Sequence, residues 1–390
     1  MVQRNANYYD VIAYGLGGNS FQSFVDCFKA KYNTLNVDGF EWDKQIQIDF
    51  TYEQLDAELG VATLPTYVDY DSPGPLKGYG EATIGSNKIA RFKHGFVMDE
   101  KIIREQIIMM QRFKEAAITT QAQNAMRDLL FDSVDKLIAG NHNELTHQRM
   151  QIVSTGQFTI NETNNPEGIK GLTFDFGIPT ANKTSLSGTA RWWTNAEHTT
   201  EGSAADPLKF MKDLRKQATR QGNPSGHFEI SQTLFDDMVG HSKVLSKIGY
   251  ALYPVASSAE VATAYAQNLT DEAIKNAIEK IVGAPLIIRD SVSFVDEYNK
   301  ETGRVEKRMV ENFDVHNIAY IPNGNLGTIK AVEPIAVADP GARIALFDGG
   351  RTLIKQTYNS DTNTQYIQSE CTALVVPNVR RYMYIATVTA

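Results

Sequence analysis

Apolar side chains are spaced most regularly in a long segment that begins at Asp99, and this spacing predicts one long helix. No glycine or proline occurs from Asp99 to Ala139. Asp99 suits an N-cap and Gly140 suits a helix end. At 1.5 Å per residue the helix would be about 60 Å long, so we interpret it as the spine of the fold. The apolar positions with helical spacing are Ile103, Ile107, Met110, Phe113, Ala117, Met126, Leu130, Val134, Leu137 and Ile138.

The segment before this helix alternates between apolar and polar positions and predicts strands. Gln45–Thr51 reads as a strand because Ile46, Ile48 and Phe50 alternate with polar residues. Asn87–Met98 is also strand-like and rich in basic residues. Short helices are predicted within Tyr52–Thr63 and Ser20–Tyr32.

A segment of different character, Asp69–Ser86, lies between the two predicted strands. Its sequence, DYDSPGPLKGYGEATIGS, has six glycine or proline residues, which forbid a regular helix. Few of its side chains could contribute to a core. The order of strand, flexible segment and strand therefore predicts a long hairpin arm that leaves the body of the domain.

The second half of the chain alternates between strands and helices. Asp206 followed by Pro207 marks a helix start, and this helix should run to about Thr219. Ser231 is suited to cap the next helix. Two more helices are predicted at Ser258–Gln267 and Thr270–Val282. The predicted strands lie within Gln151–Phe176, Pro285–Arg289, Ser293–Tyr298, Val305–Phe313, Asn317–Pro322, Glu370–Val376 and Arg381–Thr389.

Composition favours a cytosolic globular protein over a nucleic-acid-binding, secreted or membrane protein. The chain has 390 residues, of which 42% are apolar, enough for a core without metals or disulfides. Its net charge of −8 disfavours adhesive binding to nucleic acid. Cys27 and Cys371 are the only cysteines and read as reduced thiols of a cytosolic protein. Met1–Asp10 is polar, unlike a signal peptide, and no apolar run suits a membrane helix.

Several short patterns resemble chemical sites, but each departs from the pattern it resembles. Residues 15–18 lack the lysine of a phosphate loop, and His142 and His147 are spaced wrongly for a zinc helix. Asn359, Asp361 and Asn363, with Glu370 following, lack the glycine of a calcium loop. Trp192 and Trp193 are interpreted as packing or interface residues. We therefore expect no catalytic, cofactor-binding or metal-binding residues.

The order of elements resembles a known family over nearly the whole chain. An amino-terminal segment, a strand, a Gly/Pro-rich arm, a basic strand, a long helix, strands, a helical region and final strands follow one another. This order is similar to that of HK97-fold phage major capsid proteins, specifically the lambda-like major capsid protein E family. The stretches that carry the resemblance are NKIARFKHGFVMDEKIIREQI, STGQFTINE, GLTFDFGIP, FVDEYNKETGRVEKRM, IAYIPNGNLGTI and QSECTALVVPNVRRYMYIATV, together with Ala205-Asp206-Pro207.

The resemblance implies an α+β fold of the HK97 type and a division of the chain. The expected parts are an N-terminal arm at 1–40, an E-loop region at 41–98, a P-domain with the spine helix at 99–204, an A-domain at 205–365 and a return to the P-domain at 366–390. The E-loop should contact a neighbouring subunit, and Lys77 and Lys88 lie in or beside it, although nothing marks either as a cross-linking residue. The inter-subunit candidates are Asp69, Tyr70, Asp71, Pro73, Lys77, Tyr79, Glu81 and Lys88.

The resemblance also implies a function and partners. The chain should form hexamers and pentamers of an icosahedral shell that encloses double-stranded phage DNA without sequence-specific binding. It should assemble in the host cytoplasm, away from membranes, and become part of the virion. Because no charged coiled-coil leader precedes the arm, any scaffold should be a separate protein. Portal and decoration proteins are further expected partners.

Two other functions stay open at this point. An encapsulin-like nanocompartment has the same fold, although such chains tend to be shorter. A cytosolic enzyme with an unrecognised site belongs to a different class, and the absence of a convergent His, Asp and Cys motif argues against it. Terminase and portal genes beside this one would favour the capsid protein.

Overall fold

The chain forms two compact units, each built from several segments of the sequence. The structure, a computed structural model, describes residues 37–57, 82–98, 101, 120–166, 168–223, 225–299, 304–335, 342–359 and 364–389. The first unit comprises 1–52, 87–146 and 328–375, and the second comprises 53–86, 147–327 and 376–390. Helices and antiparallel strands occur together, so the predicted α+β class is confirmed.

The described helices and strands are short apart from one helix and one strand. The helices are α1 (Thr120–Thr155), α2 (Pro207–Arg220), α3 (Gln232–Gly240), α4 (Ser242–Leu252), α5 (Ala259–Gln267) and α6 (Asp271–Val282). The strands are β1 (Phe40–Trp42), β2 (Thr51–Ala57), β3 (Ala82–Lys88), β4 (Arg91–Met98), β5 (Gln157–Ile160), β6 (Leu172–Asp175), β7 (Lys183–Ser185), β8 (Gly226–Ser231), β9 (Leu286–Arg289), β10 (Val292–Asn299), β11 (Arg304–Glu311), β12 (Asn317–Pro322), β13 (Gly327–Ala331), β14 (Ala342–Phe347), β15 (Thr352–Asn359), β16 (Thr364–Pro377) and β17 (Tyr384–Thr387).

The sheet of the first unit is organised around its longest strand, β16. The strands run in the order β1-β13-β16-β15-β14, and β4 also pairs with β16. Both β15 and β4 lie antiparallel to β16. Residues 371–376 of β16 are fully buried, as expected for an apolar strand with neighbours on both edges. The final strand predicted at Glu370–Val376 is thus confirmed as the centre of this sheet.

The second unit combines a five-stranded sheet with the helices that follow α1. Its strand order is β7-β17-β12-β8-β9, with β12 antiparallel to both of its neighbours. Phe228 and Tyr320 lie in contact across β8 and β12, with ring centroids 4.7 Å apart. Apolar faces of α2, α3, α4 and α6 contribute to the same core. Burial of these faces holds the short helices in place, because helices of this length are marginal alone.

Local capping signals in the sequence correctly marked most helix starts in this unit. The Asp206 carboxylate accepts a hydrogen bond from the Lys209 amide at 3.1 Å, and Pro207 is the first helical residue. Ser231 Oγ accepts from the Leu234 amide at 3.0 Å, so the predicted cap of α3 is confirmed. Helix α4 was not predicted. Its N-cap is His241, whose Nδ1 accepts from the Lys243 amide, and histidine is not among the usual capping residues.

The long helix ends later than the sequence pattern predicts. Gly140 lies inside α1, which continues to Thr155, so the prediction of strand from Gln151 is wrong for its first residues. A β-carbon on Gly140 would lie 2.8 Å from His94 Nε2, which indicates that this glycine permits close packing. Gly156, with φ +79°, provides the left-handed residue that ends the helix. Residues 102–119, with most of the predicted apolar stripe, lie outside the described residues.

The segment before the arm also differs from the prediction. Thr51–Ala57 is strand β2, whereas a short helix was predicted within Tyr52–Thr63, of which 58–63 lie outside the described residues. Residues 45–50, predicted as a strand, are mostly bends, and Gln47 alone forms a bridge to Val332. Asp49 accepts hydrogen bonds from the amide and hydroxyl of Thr51. This local turn uses the alternating residues for a change of chain direction, which periodicity alone does not show.

A fully buried carboxylate links the end of α1 to the sheet of the second unit. Glu229, on β8, is 0% exposed and forms two hydrogen bonds with the Arg149 guanidinium, at 2.5 and 2.6 Å. Arg289 on β9 donates to the same carboxylate at 2.6 Å, and His227 Nε2 lies 3.2 Å from it. Arg149 itself is 1% exposed. Helix α1 and strands β8 and β9 therefore meet at the Glu229 carboxylate. We call Glu229, Arg149, Arg289 and His227 the Glu229 cluster.

The cluster keeps Glu229 ionised despite its burial. Burial alone would raise the pKa of Glu229, but the charge of Arg149 and the hydrogen bonds from His227, Arg149 and Arg289 lower it well below 4.5. A buried ion pair contributes little net energy compared with apolar packing, yet loss of one partner leaves a charge without compensation. The cluster therefore specifies how these elements are joined more than it adds to total stability.

Glu229→Gln should lower the free energy of unfolding by about 3–5 kcal/mol at pH 7, because it leaves buried arginine charge unpaired. The pKa of Glu229 is depressed in the folded state, so its contribution is complete above pH 4.5 and is lost as pH falls further. The difference between wild type and variant should thus shrink on acidification. Denaturant unfolding from pH 7 to pH 3 measures this, with exposed Glu41→Gln as control. A constant difference across this range would contradict the assignment.

Gly156→Ala should destabilise the chain by about 1–2 kcal/mol, because an L-residue with a β-carbon is strained at positive φ. Gly156→Asn should cost less, since asparagine tolerates this backbone conformation better. Both variants place a β-carbon near Ile178 Cδ1, and asparagine adds an amide beyond it, so a smaller loss for the larger side chain would identify the backbone effect. Thermal unfolding of the two variants compares them, and equal losses would show that the Ile178 contact dominates.

Candidate inter-subunit surfaces

Of the predicted arm, Asp69–Ser86, the structure describes only residues 82–86. Strands β2 and β3 form a two-stranded sheet, so Ala82–Ser86, predicted as part of a flexible arm, belongs to a strand. Lys88 is exposed at the end of β3. The inter-subunit role of all these candidates stays a prediction. Those that lie outside the described residues are Asp69, Tyr70, Asp71, Pro73, Lys77, Tyr79 and Glu81.

The base of the arm is fixed to the first unit by backbone and side-chain contacts. The amide of Ile89 donates to the carbonyl of Phe50 at 2.7 Å, so the chain entering the arm contacts the chain leaving it. The Arg91 guanidinium lies 5.5 Å from the centre of the half-exposed Phe50 ring, a cation–π geometry. The arm is therefore anchored where it begins and ends.

Charged side chains pin the register of the strand that leaves the arm. Glu370 on β16 lies opposite Lys93 on β4, and their charged atoms are 2.7 Å apart. The same carboxylate lies 3.3 Å from Arg91 Nε. A slip of one residue would turn these side chains to the opposite face of the sheet. The arm base thus keeps one register relative to the central strand β16.

The hairpin of β10 and β11 has an exposed apolar side. The two strands are antiparallel, with Phe294 opposite Met309 and Asp296 opposite Lys307. Because directly opposite residues lie on one face of a hairpin, the remaining members of this face follow from the register. Phe294 is 63% exposed and Met309 is 55% exposed. We call the following set the apolar face: Val292, Phe294, Asp296, Val305, Lys307, Met309 and Glu311.

The other side of the hairpin carries both polar and apolar residues, and part of it contacts the body of its unit. Arg308 pairs with Glu297 at 2.9 Å across the strands. Its guanidinium also donates to the backbone carbonyls of Glu162 and Thr163, each at 2.7 Å. Val310, on the same side, is buried. Arg308 and Val310 therefore hold this side of the hairpin to its unit, while Phe294 and Met309 on the apolar face stay exposed.

A second exposed apolar area, the tyrosine surface, covers the helix pair α4 and α5. Tyr253 and Tyr265 are stacked with ring centroids 5.3 Å apart. Glu260 is the only charged residue between positions 248 and 270. Depletion of charge with enrichment of tyrosine is typical of the centre of a protein interface. The exposed members of the tyrosine surface are Tyr250, Leu252, Tyr253, Val255, Val261 and Tyr265.

Helices α4 and α5 pack so closely that a groove runs beside the tyrosine surface. A β-carbon on Gly249 would lie 2.0 Å from the carbonyl oxygen of Ala262, so only glycine fits there. The groove has a volume of about 520 Å³. Ser242 and Ser246 line it, and Tyr250 follows four residues later, on the same side of α4. Groove and tyrosine surface therefore form one continuous area.

The histidines and tryptophans singled out in the sequence have structural partners. His142 Nε2 lies 3.1 Å from the Asp348 carboxylate, and His147 Nδ1 lies 2.9 Å from Asn312 Oδ1. Trp192 and Trp193 are buried, which confirms their interpretation as packing residues. Residues 15–18, Asp361 and Asn363 lie outside the described residues. Within the described ranges no three His, Cys, Asp or Glu residues are placed to hold a metal ion.

Two further properties concern reactivity and membranes. Cys371 is a free thiol at the centre of β16, and burial raises its pKa to about 12. A thiol with such a pKa is a poor nucleophile at neutral pH. Cys27 lies outside the described residues. In the part of the chain that the structure describes, no helix is long and apolar enough to cross a membrane.

The sequence analysis missed both exposed apolar areas. The charge-poor stretch from 248 to 270 was visible in the sequence, but α4 was not predicted and its exposed side was therefore unknown. The alternation in β10 and β11 correctly predicted strands. Alternation cannot show which face of a strand contacts the body, so the exposure of the apolar face appears only in the structure.

Solved structures similar to this chain are capsid or phage-related proteins of low sequence identity. A phage-related protein of Bordetella bronchiseptica RB50 is 10% identical, with a TM-score of 0.46 over 94% of this chain and 97% of the other. The candidate capsid protein of a prophage of E. coli CFT073 is 14% identical, with a TM-score of 0.46 and coverage of 98% and 99%. A chain of the satellite phage P4 procapsid, a structure that includes the Sid protein, is 8% identical to this chain. Its TM-score is 0.44, and the match covers 94% of this chain and 99% of the other.

Family membership follows from the sequence over most of the chain. No curated protein sequence matches the chain. A model of the family described as phage major capsid protein E matches residues 29–387. Together with the α+β architecture, this match confirms the HK97-type capsid fold that the sequence predicts. The chain therefore belongs to the phage major capsid protein E family and is a structural protein that forms the capsid shell of a bacteriophage virion.

Proposed function

We propose that copies of this chain assemble into hexamers and pentamers of an icosahedral shell that encloses double-stranded phage DNA. The observation that carries this proposal is the family match over residues 29–387. A closed shell made from one chain requires surfaces that fit one another in a symmetric arrangement. The exposed apolar areas of the second unit are surfaces of the kind that such contacts need.

The chain contacts the enclosed DNA as a wall and has no sequence-specific binding site. Its net charge of −8 supports this proposal, because a negative surface repels phosphate groups. A container that held DNA by strong attraction would also oppose its release. We assign the chain no enzymatic role, and the support is that its family is one of structural proteins.

Each of the expected domains has its own role in the proposed shell. Residues 1–40 act as an N-terminal arm, 41–98 as the E-loop region, 99–204 as the P-domain, 205–365 as the A-domain and 366–390 as the return to the P-domain. The E-loop lies across a neighbouring subunit and contacts it through the candidates from Asp69 to Lys88. The anchored base at Phe50, Ile89 and Arg91 supports this role, since a fixed base lets the arm transmit force to its own subunit.

Assembly takes place in the host cytoplasm with separate partner proteins. A scaffold protein shapes the growing shell, a portal occupies one vertex, and decoration proteins bind outside. Electron microscopy of shells made with and without the phage scaffold tests this part. Shells filled with protein cargo and lacking DNA in infected cells would contradict the proposed role.

Replacement of residues 58–81 by a short Gly/Ser linker should leave a folded, soluble subunit that fails to build normal shells. Ordering a segment costs about 1–2 kcal/mol per residue, and the Gly/Pro-rich arm has little apolar surface for its own core. Contacts with another subunit are therefore its source of stability. Circular dichroism and thermal unfolding measure the fold, and electron microscopy measures assembly.

A second variant, in which a Gly/Ser linker of the same length replaces residues 58–81, controls for the length of the segment. It should fail as the short linker does, because the proposal attributes assembly to side chains of the arm. Wild-type assembly by either variant would refute the role of the arm. Gross unfolding of both variants would place the segment in the core of its own subunit.

A further inference from the structure

We propose that the apolar face of the β10–β11 hairpin docks onto the tyrosine surface of a neighbouring copy of this chain, in a head-to-tail contact. The inference rests on the proposed shell assembly and specifies one contact within it. It is separate from the E-loop contact, because it uses only residues 242–267 and 292–311.

The apolar face requires a cover that its own unit does not provide. An isolated two-stranded hairpin is marginally stable in water, and this one is held to its unit by Arg308 on one side while its apolar face is exposed on the other. Phe294 and Val305 are each 63% exposed. Apolar residues that are adjacent on a surface mark sites of protein association, whereas single ones do not. The apolar face is thus suited to burial against another protein surface.

A second copy of the chain is the occupant that the molecule itself supports. Among the 19 large apolar residues exposed in the described part of the chain, six lie on the tyrosine surface and four on the apolar face. Both areas belong to the same unit and differ in shape. One is a protruding strand pair and the other is a helix pair with a groove. Two different, complementary areas on one chain generate a ring of identical subunits.

Shape and side-chain chemistry favour this pairing over contact between like surfaces. The groove beside the tyrosine surface has a volume of about 520 Å³, which is large enough for an aromatic ring such as that of Phe294. The tyrosine rings offer flat, amphipathic contact area to Phe294 and Met309. Two hairpins placed face to face would instead bring Asp296 and Lys307 of both copies together without a groove to receive the rings.

Charge is also complementary between the two areas. The groove is lined by two lysines and one acid, Lys243, Lys247 and Glu260. The apolar face has two acids and one lysine, Asp296, Glu311 and Lys307. Lys243 donates to the carbonyls of Ser203 and Ala205, and Lys247 pairs with Asp206, so both lysines are held in place before docking. Because Asp206 already neutralises Lys247, Lys243 is the groove cation that would attract Asp296 or Glu311 of a neighbouring copy and orient it.

Phe294→Asp and Val255→Asp should each reduce the yield of shells at least about tenfold, because each places a charge in an apolar contact. Val255 is 74% exposed, so its variant should fold normally. Ile169→Asp is the matched control, since Ile169 is 73% exposed and belongs to neither area. Thermal unfolding of the subunits confirms the fold, and sedimentation with electron microscopy measures shell yield.

Cross-linking identifies the partner surface directly. In a Cys27→Ser background, assembled mixtures of Phe294→Cys and Val255→Cys subunits should give covalent dimers with a short bismaleimide. Either variant alone should give none. Dimers from Phe294→Cys alone would show a like-with-like contact and overturn the head-to-tail pairing. Cys371 is buried and should not react.

The outcomes separate this inference from the shell function on which it rests. If wild type forms shells and both Asp variants form them equally well, the docking contact is refuted and the shell function stands. If wild type forms no shells with its phage partners, the shell function is refuted together with this contact. Loss of assembly in Ile169→Asp as well would show a general effect of surface charge and would also overturn the contact.

Discussion

The buried carboxylate of Glu229 is the constraint on which the second unit depends. Arg149 from α1, Arg289 from β9 and His227 from β8 all lie within hydrogen-bonding distance of it. A charge at 0% exposure tolerates no alternative arrangement, because any displacement would leave it unpaired in an apolar interior. The long helix therefore meets the sheet in one register, and the short helices pack on a sheet whose position is already determined.

Burial inside the units contrasts with exposure on the surfaces that would meet other copies. The core contains Trp192, Phe228 and Tyr320, whereas Phe294, Met309 and the tyrosines of α4 and α5 face solvent in the single chain. A monomeric protein gains nothing from a hairpin whose apolar face is exposed. In the proposed contact a shell subunit gains from it, because Arg308 holds the opposite side to its own body and leaves the apolar face for a neighbour. Stability of the subunit and affinity between subunits are thus assigned to opposite sides of the same element.

Helix caps and strand-forming residues, which act on the neighbouring backbone, specify much of the secondary structure without tertiary contacts. Asp206-Pro207 and Ser231 specified helix starts, and the largely apolar run Asn317–Pro322 predicted strand β12 with its observed bounds. These signals act through neighbouring backbone atoms and therefore appear in the sequence. The α+β class and the capsid family followed from the order of such elements along the chain. The predicted domain boundaries and E-loop contacts depend on other copies of the chain, and they stay predictions.

The sequence by itself determined the elements, their order and the family, because each depends on local spacing or on a long ordered pattern. Tertiary structure alone decided where α1 ends, since Gly140 packs against His94 while Gly156 takes the positive φ that stops the helix. It also decided that residues after Thr51 form a strand and that β10 and β11 turn their apolar side outward. A periodic pattern fixes which residues share a face, but the partner of that face lies far away in the sequence. The Glu229 cluster also depends on partners that are distant in the sequence, since Arg289 and Arg149 lie 60 and 80 residues from Glu229.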